Sequence, residues 1–166
     1  IRDRVSPGDT ILLHAAAGGV GLIASQWAKA RGATVIGTVG SREKAALAEA
    51  HGCDHTIIYT EENFVDRVKN ITQGTGVPVV YDSVGKDTLL DSIEWLKPRG
   101  ILVNFGQSSG KLENFDLAAL AKGSFYVTRP SLMTYPASRA DLETSANTLF
   151  DLVKNNKVTI PINNRY

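Results

Sequence analysis

Short apolar runs alternate along this chain with longer segments in which apolar positions recur every three or four residues. Thr10–Leu13, Thr34–Val39, His55–Tyr59, Val77–Tyr81, Ile101–Phe105 and Phe125–Thr128 read as strands. Val20–Arg31, Arg42–Ala50, Asn63–Thr72, Lys86–Leu96 and Ser138–Asn155 carry helical spacing, and Leu117–Lys122 reads as a short helix. Leu22, Ile23, Trp27 and Ala30 are available for one face of the first helix, and Phe64, Val65, Val68 and Ile71 for one face of the third. Turn residues punctuate the series. Ser6-Pro7-Gly8-Asp9 precedes the first strand, and Gly32 closes the first helix as its C′ residue. Gly52 ends the second helix, Gly74-Thr75-Gly76 is a turn, and Lys97-Pro98-Arg99-Gly100 stops the fourth helix. Val158-Thr159-Ile160 is a last strand-like run before Pro161. Strands separated by helices pair in parallel through right-handed crossovers. Six of them in this rhythm predict an α/β fold: a doubly wound, mostly parallel six-stranded sheet with helices on both faces.

The connection between the first strand and the first helix carries the candidate chemistry. It runs His14-Ala15-Ala16-Ala17-Gly18-Gly19-Val20-Gly21. Gly18 and Gly21 stand three apart, as the second and third glycines of a dinucleotide fingerprint do. Gly18 lets the main chain approach a diphosphate, and Gly21 lets the helix lie close to the strand. The helix N-terminus offers free N–H groups and a positive dipole end. The first fingerprint position holds Ala16 rather than glycine. A short glycine run also builds tight turns with no ligand, but the complete strand–helix–strand unit around it favours a nucleotide-binding Rossmann domain.

Composition narrows the classes without naming one. A chain of 166 residues, 43% hydrophobic and with net charge +1, suits one globular domain and gives no basic face for nucleic acid. No apolar run is long enough to span a bilayer, and no signal peptide opens the chain. A single cysteine, Cys53, excludes an internal disulfide framework and suits a reducing, cytoplasmic compartment. Cys53 reads as a buried structural thiol and His14 as a packing or turn residue; three scattered histidines form no metal constellation.

The tip of the second strand bears on which dinucleotide is bound. An acidic residue there bonds the adenosine ribose 2′-OH of NAD. Here the tip reads Val39-Gly40-Ser41-Arg42-Glu43-Lys44, with no acid in place. Ser41 can hydrogen-bond, and Arg42 and Lys44 can pair with a phosphate, which favours NADPH over NADH. On the other reading Arg42 and Lys44 are solvated helix charges, with Ser41 as N-cap and Lys44 at N3. Glu43 sits on the outer face under both. Tyr59 either flanks the adenosine end of the cofactor or packs across strands. Asp82-Ser83-Val84-Gly85 and Phe105-Gly106-Gln107-Ser108 follow the fourth and fifth strands, where a nicotinamide ring reaches in such a sheet.

Five segments in order carry a more specific likeness: Ala15–Gly21, Gly37–Ser41, Val80–Gly85, Phe105–Gly110 and Tyr126–Leu132. Through them the chain resembles the cofactor domain of the NADPH:quinone oxidoreductases, a zinc-free branch of the medium-chain dehydrogenase/reductase superfamily that includes zeta-crystallin. The resemblance covers essentially the whole chain. It implies that Gly18, Gly19 and Val20 line the diphosphate, that Ser41, Lys44 and Tyr59 hold the 2′-phosphate end, and that Phe105–Ser108 lie near the nicotinamide. The candidate cofactor-binding set is therefore Ala17, Gly18, Gly19, Val20, Gly21, Gly40, Ser41, Lys44, Tyr59, Ser83, Val84, Phe105, Gly106, Gln107 and Ser108. No metal ligand and no catalytic acid or base is assigned.

The resemblance further implies a GroES-like catalytic domain before this chain and a tail after Asn163-Asn164-Arg165-Tyr166. The expected activity is hydride transfer from NADPH to a quinone or another electron-poor acceptor, with this segment alone inactive. A non-catalytic NADPH-binding module (a redox sensor or crystallin-like protein), an enone or alkene reductase and a zinc alcohol dehydrogenase are the alternatives. The outermost strand, Phe125–Thr128, predicts a homodimer through the sheet edge.

Overall fold

Six apolar runs do form one sheet, parallel throughout, in a computed structural model that describes residues 4–162. Residues 163–166, after which the resemblance expects further chain, lie outside the described residues. The strands are β1 (Thr10–Leu13), β2 (Thr34–Val39), β3 (His55–Ile58), β4 (Val77–Asp82), β5 (Leu96–Asn104) and β6 (Tyr126–Thr128). The helices are α1 (Gly19–Ala30), α2 (Arg42–Ala50), α3 (Phe64–Ile71), α4 (Leu89–Ile93) and α5 (Arg139–Lys154), with a 3-10 helix at Leu117–Lys122. The spatial order is β3-β2-β1-β4-β5-β6. The chain reverses its direction of travel between β1 and β4, the point at which ligands bind in open α/β sheets.

Alternate strand residues feed two cores. Ile11, Leu13, Val35, Val79 and Tyr81 face α1 and α2, while Leu12, Ile36, Ile57, Val80 and Leu102 face α3 and α4. Capping explains most boundaries. Asn63 Oδ1 accepts from Val65 and Asp66 to open α3, and Ser138 Oγ accepts from Asp141 N to open α5. Gly32 adopts φ +82° just beyond α1.

Three expectations are corrected. Lys86–Leu96 is not one helix: only Leu89–Ile93 is helical, and β5 begins at Leu96 and runs through Lys97-Pro98-Arg99-Gly100. The cause is tertiary. Val77 N donates to Trp95 O at 2.7 Å and Leu96 pairs with Val77, so sheet pairing takes the residues that helical spacing would have claimed. The run at Val158–Ile160 is not a strand; Thr159 is instead held at both its N–H and C=O by the Gln26 amide. The inner face of α1 is Gly21, Leu22, Ser25 and Ala28, while Trp27 is half-buried and Ala30 exposed. Small residues turn inward because α1 lies close to the sheet.

His14 and Cys53 are buried structural groups, as expected. His14 packs edge-on against Phe64, its Nδ1 lies 2.9 Å from Thr38 Oγ1, and its Nε2 lies 2.8 Å from Ser92 Oγ. The Ser92 hydroxyl donates to Thr88 O, so Nε2–H donates to Ser92 and Thr38 donates to Nδ1. Burial pulls the His14 pKa down to about 4, against the upward pull of Asp82. The unfolded chain takes up this proton near pH 6.5. Stability therefore falls as pH drops from about 6.5 toward about 4, because the unfolded state then binds more protons. In urea titrations followed by tryptophan fluorescence, His14→Gln should show a shallower pH slope across that window. It should also lose about 1–3 kcal/mol at pH 7.5, where Thr38 or Ser92 is left unpaired. An unchanged acid slope would rule this account out.

Candidate functional site

The turn after β1 is pinned before the helix starts. His14 N donates to Tyr81 O at 2.9 Å on one side, and Ala16 N donates to Thr38 O at 3.0 Å on the other. Ala15 takes φ +54°, and Gly18 N then closes back on Ala15 O at 2.9 Å. Gly21 is where the helix crosses this turn. A Cβ there would sit 2.5 Å from the carbonyl oxygens of both Ala15 and Ala16. The alanine at the first fingerprint position is accommodated across the sheet: a Cβ on Gly37 of β2 would lie 2.6 Å from Ala16 Cβ. The glycine missing from the turn thus has its counterpart on the neighbouring strand.

Gly18 and Gly19 differ from Gly21. A Cβ on Gly18 would approach only Ala15 O, at 3.2 Å, and a Cβ on Gly19 would meet nothing within 4 Å. No side chain caps α1 at Gly18, and its first turn holds no acid. The first-turn N–H groups have no side-chain cap at the positive end of the helix, which fits a diphosphate. Ala17 packs from the same turn against the core, and Val20 stands 61% exposed beside it.

The predicted 2′-phosphate residues meet at one corner. Val39 and Ile58 are paired in register, which brings the tips of β2 and β3 together. The Tyr59 hydroxyl lies where a Cβ on Gly40 would come within 2.7 Å of it. Ser41 Oγ accepts from Lys44 N at 3.3 Å, so Ser41 is the N-cap of α2. Lys44 is exposed and has no side-chain partner among the described residues. Arg42 does not share that freedom. Its Nε and Nη2 each lie 3.0 Å from Glu61, a fork that raises the Arg42 pKa and lowers that of Glu61. The expected phosphate partner Arg42 is therefore already committed to a carboxylate. Glu43 is drawn in as well: a hydrogen bond from Ser41 is the main cause holding its carboxyl below its ordinary value.

The loops after β4 and β5 form one unit. Phe105 N donates to Asp82 O, Ser108 N to Ser83 O at 3.2 Å, and Ser109 N to Val84 O at 2.9 Å. A Cβ on Gly106 would lie 2.5 Å from Ser83 O. Asp82 organises the first loop: its Oδ1 accepts from Val84 N, Gly85 N and Thr88 Oγ1. Arg129, just beyond β6, ties down the second by donating to Asn104 Oδ1, Gly106 O and Gln107 Oε1. Ser83, Val84, Phe105, Gly106, Gln107 and Ser108 are thus assembled together, some distance along the sheet edge from the Gly40–Lys44 corner. Sequence reading did not single out Asp82, Asn104, Glu61 or Arg129. Only the strand register, which sets Asp82 opposite Asn104, reveals the first two.

An apolar groove of about 320 Å³ opens beside the glycine turn, lined by Leu13, Val20, Trp27, Tyr81, Phe105 and Pro130 among others. Among the described residues, no group of three or more His, Cys, Asp or Glu side chains could hold a metal ion.

Residues 19–150 match the profile of the zinc-binding dehydrogenases. The chain belongs to that family. This places it in the medium-chain dehydrogenase/reductase superfamily, as the ordered segments implied. It is 52% identical over 160 residues to a quinone oxidoreductase of Pseudomonas aeruginosa, covering 96% of this chain and 49% of that protein. It is 47% identical to a 2-haloacrylate reductase of a Burkholderia species, covering 91% of this chain and 46% of the relative. The quinone oxidoreductase of Escherichia coli solved with NADPH superposes with a TM-score of 0.91 at 48% identity, covering 95% of this chain and 49% of that one. The chain thus spans about half the length of the relatives it matches.

The glycine geometry separates two roles by measurement. Gly21→Ala should cost about 1–3 kcal/mol or more, because backbone carbonyls cannot move aside. Gly19→Ala, at an open helical position, should stay within about 0.5 kcal/mol of the parent. Equal losses in thermal unfolding would contradict the assignment of a packing role to Gly21 and not to Gly19.

Proposed function

We propose that this chain is the NADPH-binding domain of a reductase that passes hydride to a quinone. The observation that carries the reading is the open main chain at Gly18 and Gly19, aligned with the first turn of α1. Support comes from the likeness, at 48% identity, to a quinone oxidoreductase solved with NADPH. When bound, NADPH supplies a hydride, and with one proton this takes a quinone to its hydroquinone. The chain's own residues position it. First-turn N–H groups hold the diphosphate; Lys44, Ser41 and Tyr59 receive the 2′-phosphate; and Gly106, with Ser83 and Val84, leaves a low surface for the ring. The groove at Val20, Tyr81 and Phe105 offers apolar walls that keep water from the transfer.

The complete reductase includes a catalytic domain outside this segment and acts as a homodimer. The short β6 edge, with Tyr126 and Val127 exposed, supports that pairing. The buried lone thiol of Cys53 suits the cytoplasm. No helix among the described residues is long and apolar enough to cross a membrane. An activated alkene is a second acceptor class, favoured by the likeness to a 2-haloacrylate reductase.

Fluorescence titration of the complete protein tests the cofactor assignment. Wild type should bind NADPH at least about tenfold more tightly than NADH, the scale of a charge-assisted phosphate contact. Lys44→Ala should erase most of that preference. Glu43→Gln should strengthen NADPH binding, because it removes a negative charge from the phosphate corner. Equal affinity of wild type for both cofactors would defeat the proposal. Steady-state assays with a benzoquinone and with 2-chloroacrylate separate the acceptor classes. No NADPH oxidation with any quinone would leave the alkene reading or a binding-only module.

A further inference from the structure

A second cavity of about 340 Å³ lies on the other face of the sheet, against Leu89 and Val127. The groove beside the glycine turn takes Tyr81 and Val103 of β4 and β5, and this cavity takes the alternate position Asn104. Its volume falls within the roughly 300–1,000 Å³ typical of small-molecule sites. Three features give it a chemical character.

The first is charge. Arg129 and Lys111 line the cavity, and among the described residues neither is paired with a carboxylate. Arg129 spends Nη1 and Nη2 on neutral amide and carbonyl oxygens, so its charge is held in place and left uncompensated. No Asp or Glu lines the cavity.

The second is a buried amide that fixes the cation. Asn104 is 5% exposed, and its Nδ2 has no partner. Its amide orientation is set by Arg129, which only donates and so must face Oδ1. Asn104 stands opposite Asp82 in register, yet Nδ2 and Asp82 Oδ2 are both without a partner, so the two are not bonded to each other. Nδ2 itself is shut off from solvent, so Asn104 serves the cavity by fixing Arg129 and offers an occupant no N–H.

The third is an apolar floor: Leu89, Leu112, Phe115 and Val127. A cation fixed by a buried amide, a second cation at the rim and an apolar floor together describe a receptor for a carboxylate on a compact apolar body.

We propose that this cavity binds a small apolar monocarboxylate, aromatic or unsaturated, at a site separate from the cofactor. Gly106 and Gln107 belong both to its wall and to the loop tied to Ser83.

The test is calorimetric titration of the complete protein with benzoate, and with benzyl alcohol as a neutral body of similar shape. Benzoate should bind more than about tenfold more tightly than the alcohol, as expected for a carboxylate meeting a guanidinium. Lys111→Met, at an exposed position with no partner among the described residues, should weaken benzoate roughly threefold. Arg129→Met should weaken it by more than about tenfold. Saturating NADPH should leave benzoate affinity unchanged. The proposal is overturned by absence of benzoate binding, by equal affinity for the alcohol, or by indifference to Lys111→Met, a variant with no packing role. Displacement of benzoate by NADPH also overturns it, since the cavity would then belong to the cofactor. NADPH is titrated into the same samples: loss of NADPH binding with benzoate binding intact strikes the proposed function and spares this site.

Discussion

Helix α1 begins where it does because Gly21 brings no side chain within reach of the Ala15 and Ala16 carbonyls. A methyl there would overlap two main-chain oxygens at 2.5 Å, and neither oxygen is free to shift. Ala16 N is bonded to Thr38 O, and His14 N, just before the turn, is bonded to Tyr81 O. The close crossing has consequences at each end. Toward the sheet it demands small residues, hence Ser25 and Ala28 on the inner face and Gly37 opposite Ala16. Toward solvent it leaves the Gly18–Gly19 main chain bare, with uncapped N–H groups at the positive end of the helix dipole. One contact thus governs both the packing and the open turn, through different glycines.

Beneath the same sheet edge runs a buried polar chain. Thr38, His14, Ser92, Thr88 and Asp82 are linked by successive side-chain and main-chain bonds that join β2, β1, α4 and the end of β4. Each such bond contributes only about 1 kcal/mol net, but each is costly to leave unmade in a low-dielectric interior. The chain therefore acts mainly on geometry. It holds the Asp82–Gly85 loop at a fixed height relative to the glycine turn. Asn104 and Arg129 extend the same kind of control to the loop after β5.

Charge at the β2–β3 corner is distributed less simply than its residues suggest. Of two cations expected to serve a phosphate, Arg42 is forked onto Glu61, and Lys44 alone is uncommitted among the described residues. The N-cap reading of Ser41 holds, and it does not compete with a ligand role: a cap spends the oxygen's acceptor capacity, while the hydroxyl proton remains available for redirection from Glu43. Under the proposed function, cofactor preference at this corner is then a balance between one free ammonium and one nearby carboxylate.

Local periodicity and turn chemistry were enough to establish much of this protein. The six strands, the class and winding of the sheet, the cap at Ser41 and the glycine turn itself were all legible, because each depends on residues a few positions apart. What failed were features decided by partners remote in sequence. Lys86–Leu96 has helical spacing, but Trp95 and Leu96 are claimed by Val77 on β4. Val158–Ile160 has strand composition, but no neighbouring strand is there to pair with it. Arg42 looks like a phosphate ligand until Glu61 arrives from beyond β3. Asp82, Asn104 and Arg129 become a cluster only when β4, β5 and β6 align in register. The sequence by itself determined the alternation of strands and helices and the glycine turn at Gly18 and Gly19. Only the tertiary structure decided which charges stay free and which polar groups are left without partners, because those depend on distances between strands that the chain order does not encode.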